Sequence, residues 1–134
     1  MESEEVSRIR HYLGKSQSQM AKLLCVSPKA IQSFEQGWRN VPASVERYLL
    51  FLITLKAPPD ENPRSCWEIR RCPGEWKAKC AAWEFRAGGW CWFVNGTFCD
   101  GQNQANWKRK IAICRQCEVF QPSRLGLGGQ SLNL

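Results

Sequence analysis

Apolar positions recur at helical spacing through the first half of the chain. Val6, Ile9 and Leu13 share one face of a helix expected over residues 4–13. Gly14 closes it, because glycine accepts the left-handed conformation common at helix ends. Ser16 is a good N-cap for a second helix over residues 17–24. Ser27-Pro28 sets a cap followed by proline at the first helical position, opening a third helix over residues 28–36 that Gly37 stops. A fourth, residues 43–56, is rich in Leu, Ile and Phe. Its surplus of apolar residues (Leu49, Leu50 and Leu52 among them) serves either the unit's own core or a seam between two copies.

The pattern then breaks. Pro58, Pro59 and Pro63 make residues 57–64 an extended linker. Residues 65–121 read as irregular: short β pieces at Trp90–Phe93 and Thr97-Phe98, turns at Gly88-Gly89 and Asn95-Gly96, and a short helix within residues 104–113. Asn95-Gly96 is a hairpin-type signal. The Gly-rich residues 122–134 read as a disordered tail.

Composition sharpens the same division. Through Lys56 there are one Cys and one Trp; beyond it there are seven Cys and six Trp. Each half is short enough to be marginal without extra support, and the cysteines are the candidate staples of the second. The net charge is +7, +3 through Lys56 and +4 after it, which favours polyanionic partners. Glu2, Ser3, Glu4 and Glu5 after Met1 have the wrong charge for a secretion signal, and no apolar run spans a bilayer. The expectation is a cytoplasmic protein with no membrane association, where clustered cysteines mean metal or redox chemistry more often than disulfides.

Residues 17–37, QSQMAKLLCVSPKAIQSFEQG, resemble the Cro/repressor-type helix-turn-helix family, with the likeness running from about Val6 to Leu55. Ala21 is small where two helices cross, and Met20, Leu24, Val26, Ile31 and Phe34 fall where a core is needed. The resemblance implies that Gln17 clamps a phosphate or supports a base-reading neighbour. It also implies that Ser27, Lys29, Ala30, Gln32 and Ser33 face the major groove of double-stranded DNA and that Arg39 and Asn40 touch its backbone. Such domains usually bind two half-sites, which implies a homodimer. Cys25 stands where the family commonly has Gly, in the turn between the two helices.

In the second half, Cys114-Arg115-Gln116-Cys117 is the strongest local metal signal, since a two-residue gap lets two thiolates wrap one ion. The only histidine is His11, so any site here is all-thiolate, suited to zinc, iron–sulfur or Cu(I). The candidate ligands are Cys66, Cys72, Cys80, Cys91, Cys99, Cys114 and Cys117, four of them per site, for Zn2+ or a [4Fe-4S] cluster. Cys66-Trp67-Glu68, Cys72, Cys80-Ala81-Ala82, Cys91-Trp92, Gly96-Thr97-Phe98-Cys99-Asp100-Gly101 and Cys114 to Phe120 resemble, in order, the bacterial two-CW domain. That module is found fused to regulatory and sensory proteins. The tryptophans read as core. Arg70-Arg71 and Lys108-Arg109-Lys110 read as solvated faces that would add phosphate contacts beside DNA.

The fold expected is therefore a mainly α N-terminal helix-turn-helix bundle of four to five helices, residues 1–56, plus a small irregular Cys-rich α+β domain stabilised by metal, residues 65–121. The function expected is a transcriptional regulator, not an enzyme, whose thiolate centre senses redox state or metal. The alternative keeps DNA binding and makes zinc purely structural, in a module that recruits a protein partner. A thiol oxidoreductase ranks last, because Cys114 to Cys117 lacks the strand and helix that flank a thioredoxin-like dithiol.

Overall fold

Two local cap sequences fix the first half. Ser16 and Gln19 form a reciprocal capping box: the Ser16 hydroxyl accepts from the Gln19 amide at 3.1 Å, and the Gln19 side chain accepts from the Ser16 amide at 2.9 Å. Ser27 accepts from the Ala30 amide at 3.1 Å, with Pro28 at the first helical position. In the computed structural model these signals open α2 (Gln17–Leu24) and α3 (Pro28–Glu35), flanked by α1 (Ser3–Tyr12) and α4 (Ala43–Lys56). The structure describes residues 1–56, 65–99, 101–104, 106–117 and 120. The expected linker at 57–64 and tail at 122–134 lie outside them.

The described residues fall into two compact units, one holding residues 1–56 and the other 65–120. In the first, Val6 and Ile9 of α1, Met20 and Ala21 of α2, Ile31 and Phe34 of α3, and Leu49, Leu50 and Ile53 of α4 form the core. Each large apolar side chain buried there contributes about 1.5–3 kcal/mol. Leu52 is only half-buried, so the core uses Leu49, Leu50 and Ile53. Cys25 caps α2 with φ 56° and ψ 41°, the left-handed conformation that a glycine would take without strain.

The second unit is built from very short pieces: α5 (Cys66–Ile69), α6 (Gly74–Lys77), α7 (Ala81–Glu84), β1 (Thr97–Cys99), β2 (Gln102–Gln104) and α8 (Trp107–Cys114). The chain is thus mainly helical, with one two-stranded antiparallel sheet among the described residues. Thr97 pairs with Gln104 and Cys99 with Gln102. The reversal therefore lies between Cys99 and Gln102, with Gly101 at φ 75°, and Asn95-Gly96 precedes the hairpin rather than turning it. Trp90–Phe93, expected as a strand, is a series of turns. Gly88 comes so close to Ser65 that a Cβ would meet Ser65 Cα at 2.9 Å. The Gly88 carbonyl accepts the Cys66 amide at 2.9 Å, fixing the start of α5.

Trp92 is fully buried, against Trp90, Phe93 and Phe120 at ring separations of 5.6, 5.8 and 5.6 Å. Trp67 and Trp83 meet edge to face at 4.9 Å. Cys91 and Ala82 form the centre of an apolar cluster, with Cys66, Cys80, Cys117 and Ile69 packed around it.

Candidate functional site

The first candidate site is the outer face of α3. Ala30, Ile31 and Phe34 turn into the core, which leaves Ser27, Lys29 and Gln32 exposed on the opposite side. Ala30 was expected on that exposed face, but it is 7% exposed and belongs to the core: its position falls on the Ile31–Phe34 side of the helix. Ser33 is half-buried and its hydroxyl donates back to the Lys29 carbonyl at 2.9 Å. No acidic residue stands in the first turn of α3, so the partial positive charge of that helix end is unopposed. Arg39 and Asn40 are exposed, with the Arg39 guanidinium 5.4 Å from the Phe34 ring centre. Trp38, between them and α3, is 72% exposed.

Gln17 is half-buried and its amide donates to Glu35 Oε2 at 2.5 Å. The other Glu35 oxygen accepts from Arg10 Nε at 2.5 Å. One carboxylate therefore ties α1, α2 and α3 together, and Gln17 braces the helices with the donor that a phosphate would otherwise use. The sequence reading missed Glu35 and Arg10, because nothing local marks two residues 25 positions apart as partners.

The second candidate site is a pair of adjoining cavities. The first, about 60 Å3, is lined by Cys66, Cys72, Cys80, Cys91 and Cys99 among others. The second, about 20 Å3, is lined by Cys66, Cys91, Cys99, Cys114 and Cys117 among others. All seven sequence-predicted thiols thus reach one or the other wall, and Cys66, Cys91 and Cys99 border both. The eighth cysteine, Cys25, is exposed in the other unit. All are free thiols.

Their environments differ. The Cys66 and Cys91 thiols are hydrogen-bonded to each other: the bond from Cys91 holds Cys66 below the usual thiol range, and the same bond, then burial, pushes Cys91 well above it. Burial pushes Cys114 up to about 11, opposed chiefly by Lys110. Burial also raises Cys72 and Cys99.

Lys110 departs most from expectation. Lys108 and Arg109 lie in solvent, but Lys110 is 1% exposed. It lies on α8 one turn before Cys114, facing inward where its neighbours face out. Its ammonium donates to the Thr97 hydroxyl at 2.6 Å and lies in hydrogen-bond contact with Cys114. Thr97 is fully buried and also accepts from Cys99 Sγ at 3.6 Å. The indole Nε1–H of buried Trp92, whose ring lines the smaller cavity, has no hydrogen-bond partner among the described residues.

Among the described residues no three His, Cys, Asp or Glu side chains stand close enough together to hold a metal ion. The sulfurs are spread over the cavity walls. The chemistry of the donor set does fit a soft, anionic centre. It is all thiol, an indole N–H without a partner among the described residues lies on the wall of the smaller cavity, and a buried ammonium stands behind it, bonded to Thr97 of the larger cavity's lining.

No family model, no curated protein and no solved structure matches this chain. Its described helices include none long and apolar enough to cross a membrane.

Proposed function

We propose that this chain is a DNA-binding transcriptional regulator. Its first unit would be a helix-turn-helix reader of the Cro/repressor type, and its second a two-CW-like thiolate centre that senses metal or redox state. The observation that carries the proposal is the division of α3 into a core face of Ala30, Ile31 and Phe34 and an exposed polar face of Ser27, Lys29 and Gln32. Short polar side chains on a helix of this kind are what base edges in the major groove require. In this reading Gln32 pairs with adenine, Lys29 reaches guanine or phosphate, and Arg39 and Asn40 hold the backbone. Glu35, through Arg10 and Gln17, fixes the angle at which α3 is offered.

In the second unit Cys114 and Cys117, with two of Cys66, Cys91 and Cys99 from the same cavity wall, would hold zinc or an iron–sulfur cluster. When bound, zinc would supply a redox-inert clamp and a [4Fe-4S] cluster an oxidation-sensitive one. The chain's own residues do the rest. Trp92 and Phe120 exclude water from the smaller cavity, Lys110 holds positive charge beside the sulfurs, and Cys66 and Cys91 are hydrogen-bonded to each other. Phe85, 68% exposed in this unit, favours a second reading in which the metal is only structural and the surface recruits a protein.

The test of the DNA half is selection from a random duplex library followed by competition binding. Gln32→Ala should lose roughly 1–3 kcal/mol of discrimination against random duplex while keeping the wild-type circular dichroism spectrum. Unchanged discrimination removes α3 from the groove. For the second half, anaerobic purification with elemental analysis separates the metals: about four iron and four sulfide per chain means a cluster, one zinc a clamp. Cys117→Ser should lower the content of either, and full stoichiometry in that variant takes Cys117 out of the ligand set.

A further inference from the structure

Lysine is almost never fully buried unless a counter-charge accompanies it. Lys110 is 1% exposed, yet its hydrogen-bond acceptors are a neutral hydroxyl, Thr97, and the sulfur of Cys114. Among the described residues no carboxylate pairs with it. What surrounds it instead is sulfur, with Cys66, Cys91 and Cys99 near enough to feel its charge. A second buried donor, the Nε1–H of Trp92 in the lining of the smaller cavity, has no acceptor among the described residues. Two buried donors, set among thiols and without an anionic partner among the described residues, describe a site built around negative charge that neutral S–H groups do not carry.

We propose that Lys110 is the built-in counter-cation of an anionic sulfur centre, a charge-balancing residue of the cavity that Cys66, Cys91, Cys99, Cys114 and Cys117 line. A zinc ion or a [4Fe-4S]2+ core bound by four thiolates carries a net charge of about −2, and a bare thiolate carries −1. Either satisfies the ammonium. A disulfide carries no charge and does not. Thr97 anchors the ammonium from the sheet side, so the charge stays in place whether or not the centre is filled. The idea rests on the thiolate-centre reading above. It adds to that reading a selection rule: the site retains anionic sulfur and rejects its neutral, oxidised form.

The experiment uses the full chain in a series of buffered free-zinc concentrations, following tryptophan fluorescence and bound zinc. It reads the free-zinc concentration at half-saturation, which is defined whether or not a variant is ordered without metal. Lys110→Met should raise that midpoint about 10–100-fold, as loss of a residue supporting a metal's ligands does, and Lys110→Arg should stay within about threefold of wild type. A Lys110→Met midpoint equal to or below wild type overturns the proposal, as does an Arg variant as impaired as the Met variant, which would make the position one of shape rather than charge.

If the wild type takes up neither zinc nor, on reconstitution with ferrous iron and sulfide, a cluster, the metal clause of the proposed function fails. The inference is then decided on the bare thiols. With a bare thiolate as its partner, Lys110→Gln slows iodoacetamide labelling of Cys114, the sulfur that the ammonium contacts, about tenfold or more at neutral pH, by peptide mapping. An unchanged labelling rate overturns it.

Discussion

Replacing Glu35 by Gln tests how the first unit holds its three amino-terminal helices. The Glu35 side chain is 6% exposed and Arg10 15% exposed, with contacts of 2.5 Å from Arg10 Nε and from Gln17 Nε2. Glutamine keeps the shape but has one carbonyl oxygen for two donors, so its own NH2 group must face either Arg10 or Gln17. A hydrogen bond to a charged group is worth about 1.5–3 kcal/mol, and breaking a fully buried ion pair costs about 3–5 kcal/mol. Arg10 keeps partial solvent access and a second bond to the Lys15 carbonyl at 3.0 Å, which lowers that penalty. We expect a loss of about 2–3 kcal/mol. For a unit of this size that is roughly 10–20 °C in melting temperature, or about 2–3 M in the urea midpoint at a slope near 1 kcal/mol/M. Urea unfolding followed by far-UV circular dichroism measures it, and a double-mutant cycle with Arg10→Gln isolates the pair. A loss below about 0.5 kcal/mol would place the pair among ordinary surface contacts and refute the bracing role.

Two further predictions concern strain and pH. Cys25→Gly should stabilise the first unit by about 0.5–1 kcal/mol, the relief of a left-handed non-glycine residue less the entropy that glycine adds to the unfolded chain; a lower melting temperature would contradict the strain. The second concerns the metal-free chain at alkaline pH. Unfolded thiols ionise near pH 8.5, whereas burial keeps Cys114 protonated to about 11. Its contribution is whole below the unfolded pKa and is lost as pH rises through the folded one, roughly 3 kcal/mol from Cys114 alone. Cys72, Cys91 and Cys99 act in the same direction, and Cys66, whose value is lowered, in the opposite one. Thermal melts of the second unit should therefore fall between about pH 8.5 and 11, and a flat profile would mean the thiols are not buried as described.

The two halves were not equally legible. Helices α2 and α3 announce themselves through Ser16, Gln19, Ser27 and Pro28, whose effects are local and act on the backbone next to them. Ala30 was misplaced because a small residue fits a groove-facing or a core position equally well by type. In the second unit, helices of four residues span barely one turn, too short to repeat a hydrophobic period. So α5, α6 and α7 were invisible, and the apolar run Trp90–Phe93 looked like a strand. Lys110 was hidden by its company: Lys108 and Arg109 beside it are solvated, and a helix turns consecutive residues about 100° apart. The gathering of seven thiols on two cavity walls was foreshadowed by their clustering in sequence, but not the hydrogen bond between Cys66 and Cys91.

The brevity of those helices has a consequence for how the molecule is made. A four-residue helix lies far below the length at which helices persist in water, so α5, α6 and α7 gain their order only when distant parts of the unit meet. The first unit, with helices of eight to fourteen residues and cap signals beside them, emerges earlier from the ribosome and contains the elements able to form first. Behind it, the thiols of Cys66 and Cys91 remain in solvent until the 24 residues between them have been synthesised and the loop has closed. During that interval they are at their most reactive, exposed to every oxidant and every soft metal in the compartment. The composition of that surrounding solution, rather than the finished fold, then sets which fraction of molecules matures with its sulfur intact.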